Sequence, residues 1–203
     1  SCDMFFQDIL YNVTFLITLS LLYGFLARFW RVGEKQEKIL TGILFGTMAV
    51  VVMLVPFNYQ PGIIFDTRTI VVSVAGLVSG VIPGAIAAVM SSLYRISIGG
   101  TGTVAGTATI VLAGLIGVLA HQYWEGLLSK SRPIFLFLFG LLVTGAMLGC
   151  QFLLPWPEPI QVIQQIWFPV VLTFPIGTMI VGLLINEHLE QTQLQDQVAE
   201  NEA

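Results

Sequence analysis

The segment "TIVVSVAGLVSGVIPGAIAAVMSSLY", residues 69–94, is compatible with two structures, and the choice between them decides the fold. It carries no Asp, Glu, Lys or Arg, and it is long enough for one helix to cross a bilayer. Its middle, however, holds Gly76, Gly80, Pro83 and Gly84. Proline removes a helix hydrogen bond and clashes with the preceding turn, and glycine adds backbone freedom. The composition therefore predicts a break near residues 80–84.

Such a break predicts a re-entrant helical hairpin over residues 69–95. Each arm of about 11 residues would reach about 16 Å, close to the bilayer midplane. Broken backbone at that depth is tolerated where it is buried in protein or lines a cavity. The alternative is a proline-kinked helix that crosses the membrane completely.

The remainder of the chain is typical of a membrane protein. Of its 203 residues, 56% are hydrophobic and only 10% are charged, and the mean hydropathy is +0.86. Soluble domains carry about a quarter charged residues. Five further blocks lack charge: 9–27, 39–57, 96–120, 133–157 and 159–186. We predict an all-α polytopic membrane helix bundle of five full spans plus the broken hairpin.

Basic residues predict the orientation, because they accumulate in cytoplasmic loops. Two such loops are marked by Arg28, Arg31, Lys35 and Lys38 and by Lys130 and Arg132. If both loops are inside, the chain makes an odd number of crossings between residues 69 and 120. The hairpin meets that condition, with the N-terminus outside and the C-terminus in the cytoplasm.

The hairpin would bring Arg68 and Arg95 together at the outer face, whereas a full crossing would separate them by about 40 Å. Neighbouring guanidinium groups repel each other unless an anion lies between them. The planar fork of arginine binds a carboxylate or phosphate through two hydrogen bonds. Asp66, two residues before Arg68, is the expected counter-ion in the empty state.

The stretch "GGTGTVAG", residues 99–106, fits an anion site. Its glycines allow close backbone approach, its threonines offer hydroxyls, and the helix expected to start near residue 101 favours negative charge at its N-terminus. The predicted ligand-binding residues are Arg68, Arg95, Asp66, Gly99, Gly100, Thr103, Gly106 and Thr109. Each feature alone has an ordinary explanation. A lone arginine at a membrane edge contacts headgroups, and glycines four apart serve helix packing, as expected for Gly42/Gly46 and Gly145/Gly149.

Other polar features are weaker. His121, Trp124 and Glu125 are expected to anchor a helix at the inner interface, and Cys150 is expected to be a free buried thiol. The sequence contains no catalytic motif, no metal-ligand spacing and no basic patch for nucleic acid. We therefore expect no enzymatic activity in this fragment, no metal, no cofactor and no nucleic-acid partner.

From Asn186 the chain is polar, which predicts that the last membrane helix continues into the cytoplasm. Leu189, Leu194 and Val198 form a thin apolar stripe that suits a parallel coiled coil in a homodimer. A solvated, frayed helix end is the alternative.

The segment "PGIIFDTRTIVVSVAGLVSGVIPGAIAAVMSSLYRISIGGTGTVAG", residues 61–106, resembles the signature of bacterial five-transmembrane receptors of the LytS–YhcK type. Those receptors carry an acidic-x-Arg element, here Asp66 and Arg68. A "GLxxGxxPG" segment follows, here residues 76–84, and then an arginine before a Gly-Gly pair, here Arg95 before 99–100.

The resemblance implies a sensory domain at the N-terminus of a bacterial signalling protein in the cytoplasmic membrane. Such domains precede histidine kinases of two-component systems, diguanylate cyclases, phosphodiesterases or PAS modules. Residues 1–186 would be the transmembrane sensory domain, and 187–203 a cytoplasmic signalling helix leading to an output domain. The membrane fold of the family resembles that of vitamin-transporter substrate-binding subunits.

Relatives in the family are associated with small carboxylates such as pyruvate, and the two arginines are implicated in binding them. The small polar side chains that accompany them match Gly106 and Thr109 here. Gly106 departs from that pattern because it has no side chain.

The expected function is a dimeric sensor that binds a small anionic metabolite from the outer side and signals to a cytoplasmic output domain. One alternative is a membrane transporter or its substrate-binding subunit. Another is an assembly protein whose arginines contact lipid, in which case Arg68→Ala or Arg95→Ala would leave function unchanged.

Overall fold

The computed structural model of the chain describes residues 14, 16–18, 20–24, 34–54, 57–60, 63–65, 67–126 and 131–201. Helical residues within 14–24 come first. The elements that follow are α1 (Glu34–Leu54), β1 (Phe57–Gln60), β2 (Ile63–Phe65), α2 (Arg68–Ser79), α3 (Val81–Ile98), α4 (Thr103–Glu125), α5 (Arg132–Cys150), a 3₁₀ turn (Gln151–Leu153) and α6 (Glu158–Asn201). The strands form one short antiparallel hairpin in an otherwise all-α membrane bundle.

Five helices of the described part of the chain are long and apolar enough to cross a bilayer: Lys35–Leu54, Val81–Ile98, Thr103–Trp124, Arg132–Leu153 and Ile166–Glu187. The second of them is α3, of which all but the last three residues belong to the segment predicted to be a hairpin. The predicted span over residues 9–27 lies partly outside the described residues.

The predicted break is confirmed, and it lies at Gly80. This residue has φ +83° and ψ −159°, a conformation open essentially only to glycine, and it ends α2 and precedes α3. A Cβ added to Gly84 would lie 2.8 Å from the Cα of Gly76, so the two helices are in contact just beyond the break. The segment therefore doubles back, and the alternative of a kinked full crossing is wrong.

The predicted length of the arms is wrong. α2 has 12 residues and α3 has 18, because α3 begins directly after Gly80 and includes Pro83. Proline at the third position of a helix is tolerated, since the N–H groups of the first turn have no partner inside the helix. Pro83 thus belongs to the start of a helix rather than to the break.

The tip of the hairpin lies at the far end of α4. The Nδ1 atom of His121 is 2.7 Å from the carbonyl oxygen of Leu77, and a Cβ added to Gly80 would lie 3.1 Å from its Nε2 atom. His121 follows Gly106 by 15 residues, which is about 22 Å along a helix axis. The hairpin is therefore longer than the roughly 16 Å expected of arms of about 11 residues.

Glycines let α2 lie almost backbone to backbone on α4. A Cβ added to Gly76 would be 2.8 Å from the backbone nitrogen of Val118. On the other side of the hairpin, Gly42 and Gly46 pack against α3 beside Ile86 and Met90, as predicted for this pair.

The packing role predicted for Gly145 and Gly149 is not met among the residues that the structure describes. No described atom lies within 4 Å of a Cβ added at either position. Cys150 is a free, buried thiol as expected. The predicted continuation of the last membrane helix is confirmed, since α6 runs without interruption from Glu158 to Asn201.

Candidate anion site at the arginine pair

The hairpin brings two arginines from different helices to the same turn of a third helix. Arg68 is the first residue of α2, and Arg95 lies in the last turn of α3. A Cβ added to Gly106, in the first turn of α4, would lie 2.7 Å from Nε of Arg95 and 3.2 Å from Nη2 of Arg68. The sum of these distances places the two nitrogen atoms no more than about 6 Å apart.

Both guanidinium groups are buried. Arg68 is 5% exposed and Arg95 is 1% exposed, and Arg95 is the largest fully buried side chain of the described residues. Two unit charges about 6 Å apart repel each other by about 3 kcal/mol at an effective dielectric constant of about 20. Two buried positive charges at this spacing make this end of the bundle electropositive, which favours a negatively charged group. Asp66, the predicted counter-ion, lies outside the described residues.

Arg95 is held by the backbone that follows its own helix. Its Nη1 atom donates a hydrogen bond of 2.7 Å to the carbonyl oxygen of Gly99. Gly99 and Gly100 have φ values of +71° and +92°, which favour glycine. The Gly-Gly pair, predicted to allow close approach of the ligand to the backbone, also orients Arg95 through the Gly99 carbonyl group.

The two predicted threonines are turned towards carbonyl groups of their own segment. Thr103 donates to the oxygen of Gly100 and Thr109 to that of Ala105, each over 2.8 Å. In this arrangement their hydroxyl hydrogens are used, so they offer acceptor oxygens rather than donors to a ligand. Donors near the site include the arginines and N–H groups in the first turn of α4, which begins at Thr103 and has no side-chain cap at Gly102.

Polar side chains not predicted from the sequence lie near the site, in α2 and in the 3₁₀ turn that follows α5. Thr69, next to Arg68, places its hydroxyl 3.9 Å from the sulfur of Met147. Gln151, which is 6% exposed, donates to the carbonyl oxygen of Met147 over 3.2 Å. Gln151 is the one amide side chain in the apolar block 133–157, and that isolation was a usable signal. Nothing in the sequence marks Met147 as a site residue, because a methionine in an apolar helix usually belongs to the core.

Comparison with known proteins identifies the same family that the segment 61–106 resembles. The family model described as the 5TMR of 5TMR-LYT matches residues 25–188, which is more than half of the chain. The sensor protein LytS of Oceanobacillus iheyensis is 30% identical over 139 residues, which are 66% of this chain and 23% of that protein. The chain thus spans less than a quarter of this relative's length. No solved structure matches the chain.

Proposed function

Because the chain belongs to the family of five-transmembrane receptor domains of the 5TMR-LYT type, it is a multi-pass membrane sensor domain, and we propose that it detects a small anion bound between Arg68 and Arg95. The convergence of both buried guanidinium groups on Gly106 carries this proposal. A single carboxylate or phosphate group can accept charge-assisted hydrogen bonds from two arginines at this spacing. A small carboxylate of the pyruvate type is the proposed ligand class.

The proposed ligand enters from the outer side of the bacterial cytoplasmic membrane. The arginine pair lies at one end of the bundle, and His121 and Arg132 lie at the other end, as α4 and α5 show. Lys35 and Lys38, at the start of α1, also lie towards the end opposite the arginine pair, because Gly42 packs beside Ile86 near the start of α3. The preference of basic loops for the cytoplasm supports an outer arginine pair, an outer N-terminus and an inner C-terminus.

The proposed signal passes along α6 to an output domain such as a kinase or diguanylate cyclase. α6 extends 14 residues beyond the apolar part that ends at Glu187. Exposed Leu194 and Val198 on this extension support a homodimer in which two such helices pair. The continuous helix and the LytS relative favour a sensor over a transporter subunit.

Ligand-dependent thermal stabilisation of the purified chain tests the anion site. Pyruvate, lactate, succinate and inorganic phosphate are titrated, and a ligand at 100 times its dissociation constant should stabilise the chain by about 2.7 kcal/mol. Arg68→Ala and Arg95→Ala should abolish the response. Arg68→Lys should weaken it, because lysine keeps the charge but loses the fork. Arg132→Ala, at the opposite end, is the control and should respond as wild type.

The proposal fails if none of these anions stabilises the wild type. It fails equally if the two alanine variants at the arginine pair respond as strongly as the wild type does.

A further inference from the structure

At the end of the bundle opposite the arginine pair, the side chain of Arg132 connects its own helix to two others. Arg132, the first residue of α5, lies over the ring of Trp124 in α4, with its Cζ atom 5.3 Å from the ring centroid. Its Nη1 atom also donates to a carboxylate oxygen of Glu190 in α6. Asn186 donates to the same oxygen over 3.2 Å. Glu190 lies three residues beyond the apolar part of α6 that ends at Glu187.

The two contacts of Arg132 differ in how firmly they are held. Trp124 is 5% exposed and packs beside Phe135, in one apolar cluster with Leu136. The interfacial anchor predicted at Trp124 is therefore a buried residue beneath an arginine. The Arg132 side chain is 17% exposed, whereas that of Glu190 is 49% exposed. Arg132 thus stays with α4 and α5, and Glu190 is the partner that can leave.

The packing of the helices gives this contact its place. α2, α3 and α4 form one tight body through Gly76, Gly84 and the bond of His121 to Leu77. α6 meets that body where Gly177 contacts Ile70. It meets α5 where Pro175 contacts Gly140. Both contacts lie within the membrane-spanning part of α6. The bond to Arg132 is made beyond it, on the segment that leads away from the membrane.

We propose that Arg132, Trp124 and Glu190 form a releasable clasp that holds the extension of α6, residues 188–201, against the inner ends of α4 and α5. While the clasp is closed, the rotation of the extension about its own axis is set by the tight body of the bundle. When Glu190 leaves Arg132, the extension is free to turn relative to the membrane domain. Exposed ion pairs shift a population by at most about fivefold, which suits a contact that must open in response to small displacements. The clasp does not depend on which ligand binds at the arginine pair.

Double electron–electron resonance between two nitroxide labels, measured on the full chain in lipid nanodiscs, tests the clasp. Nitroxides are attached at Gln122→Cys in α4 and Leu194→Cys in α6, both exposed positions, in a background without native cysteines. Excess unlabelled chain suppresses distances between subunits. Wild type should show one dominant distance. Glu190→Gln and Arg132→Gln should each increase the displaced population about threefold to fivefold, and the double variant should show no further increase.

Two further variants complete the design. The exchange Arg132→Glu with Glu190→Arg should recover at least half of the dominant population. Glu187→Gln removes the same charge one turn earlier and should leave the distribution as in wild type.

The proposal is overturned if Glu190→Gln has the wild-type distribution, or if Glu187→Gln displaces the extension equally. Additive effects in the double variant would also overturn it, since residues that act through one contact cannot add. Glu190 is half exposed, so its variant folds and keeps the test decisive even if Arg132→Gln does not.

Discussion

Replacement of Gly106 by alanine should separate the two arginines from α4 and weaken anion binding. The new Cβ would lie 2.7 Å from Nε of Arg95, whereas ordinary contact begins at 3.4 Å, so that nitrogen must move by about 0.7 Å. Arg95 cannot move freely, because it is 1% exposed and donates to Gly99 over 2.7 Å. Overpacking of a filled site costs about 1–3 kcal/mol of stability.

The expected loss of affinity follows from the hydrogen bonds that the displaced guanidinium makes. Removal of one charge-assisted hydrogen bond costs about 1.5–3 kcal/mol, which is about a 10-fold to 150-fold increase in the dissociation constant. Isothermal titration with the anion that stabilises the wild type measures this change, and thermal melts in the absence of ligand measure the change in stability.

Gly145→Ala is the matched control for this experiment. It makes the same exchange inside a helix, and no described atom lies within 4 Å of the added Cβ. Because alanine is intrinsically favoured over glycine in a helix by about 1 kcal/mol, the control isolates the steric effect at position 106. If Gly106→Ala matches Gly145→Ala in both stability and affinity, the reasoning about the arginine pair is refuted.

Three further predictions concern the hairpin and the clasp. Gly80→Ala should destabilise the chain by about 1–3 kcal/mol relative to Gly149→Ala in thermal melts, because φ +83° with ψ −159° is strained for alanine; equal melting temperatures would contradict this. Cysteines placed at Ser97 and Tyr59 should react with a membrane-impermeant maleimide from the same side of the membrane, and opposite sides would refute the hairpin. The Arg132 guanidinium holds the pKa of the exposed Glu190 carboxyl below its usual range. The clasp should therefore be closed at neutral pH and open as the pH falls through that lowered pKa. The displaced population should rise with acid in wild type and should not change with pH in Glu190→Gln.

The hairpin was predictable because local backbone chemistry decides it. A glycine in a conformation closed to other residues must interrupt a helix, and a glycine-rich stretch inside an apolar block announces that interruption. The same reasoning misplaced Pro83, since proline has opposite meanings in the first turn and in the interior of a helix. Only the position of the neighbouring break tells the two apart.

The packing partners were less predictable. Gly42 and Gly145 each begin the same four-residue spacing, yet the first meets α3 and the second has no described atom within 4 Å of an added Cβ. His121 resembled an interfacial anchor, but it bonds to the carbonyl group at the end of α2. In each case the outcome depends on which helix lies opposite, and a pattern within one helix carries no information about its neighbour.

The sequence by itself determined a membrane bundle, the doubling back of residues 68–95 and the pairing of Arg68 with Arg95, because hydropathy, glycine and charge act locally along the chain. Tertiary structure alone decided that the arginines meet at a residue without a side chain and that Met147 of α5 contacts Thr69, next to Arg68. It also decided that Arg132 of α5 contacts both α4 and α6 at the end of the bundle opposite the arginine pair. These contacts link residues up to 78 positions apart, and distances of that kind follow from how helices pack against each other rather than from any one segment.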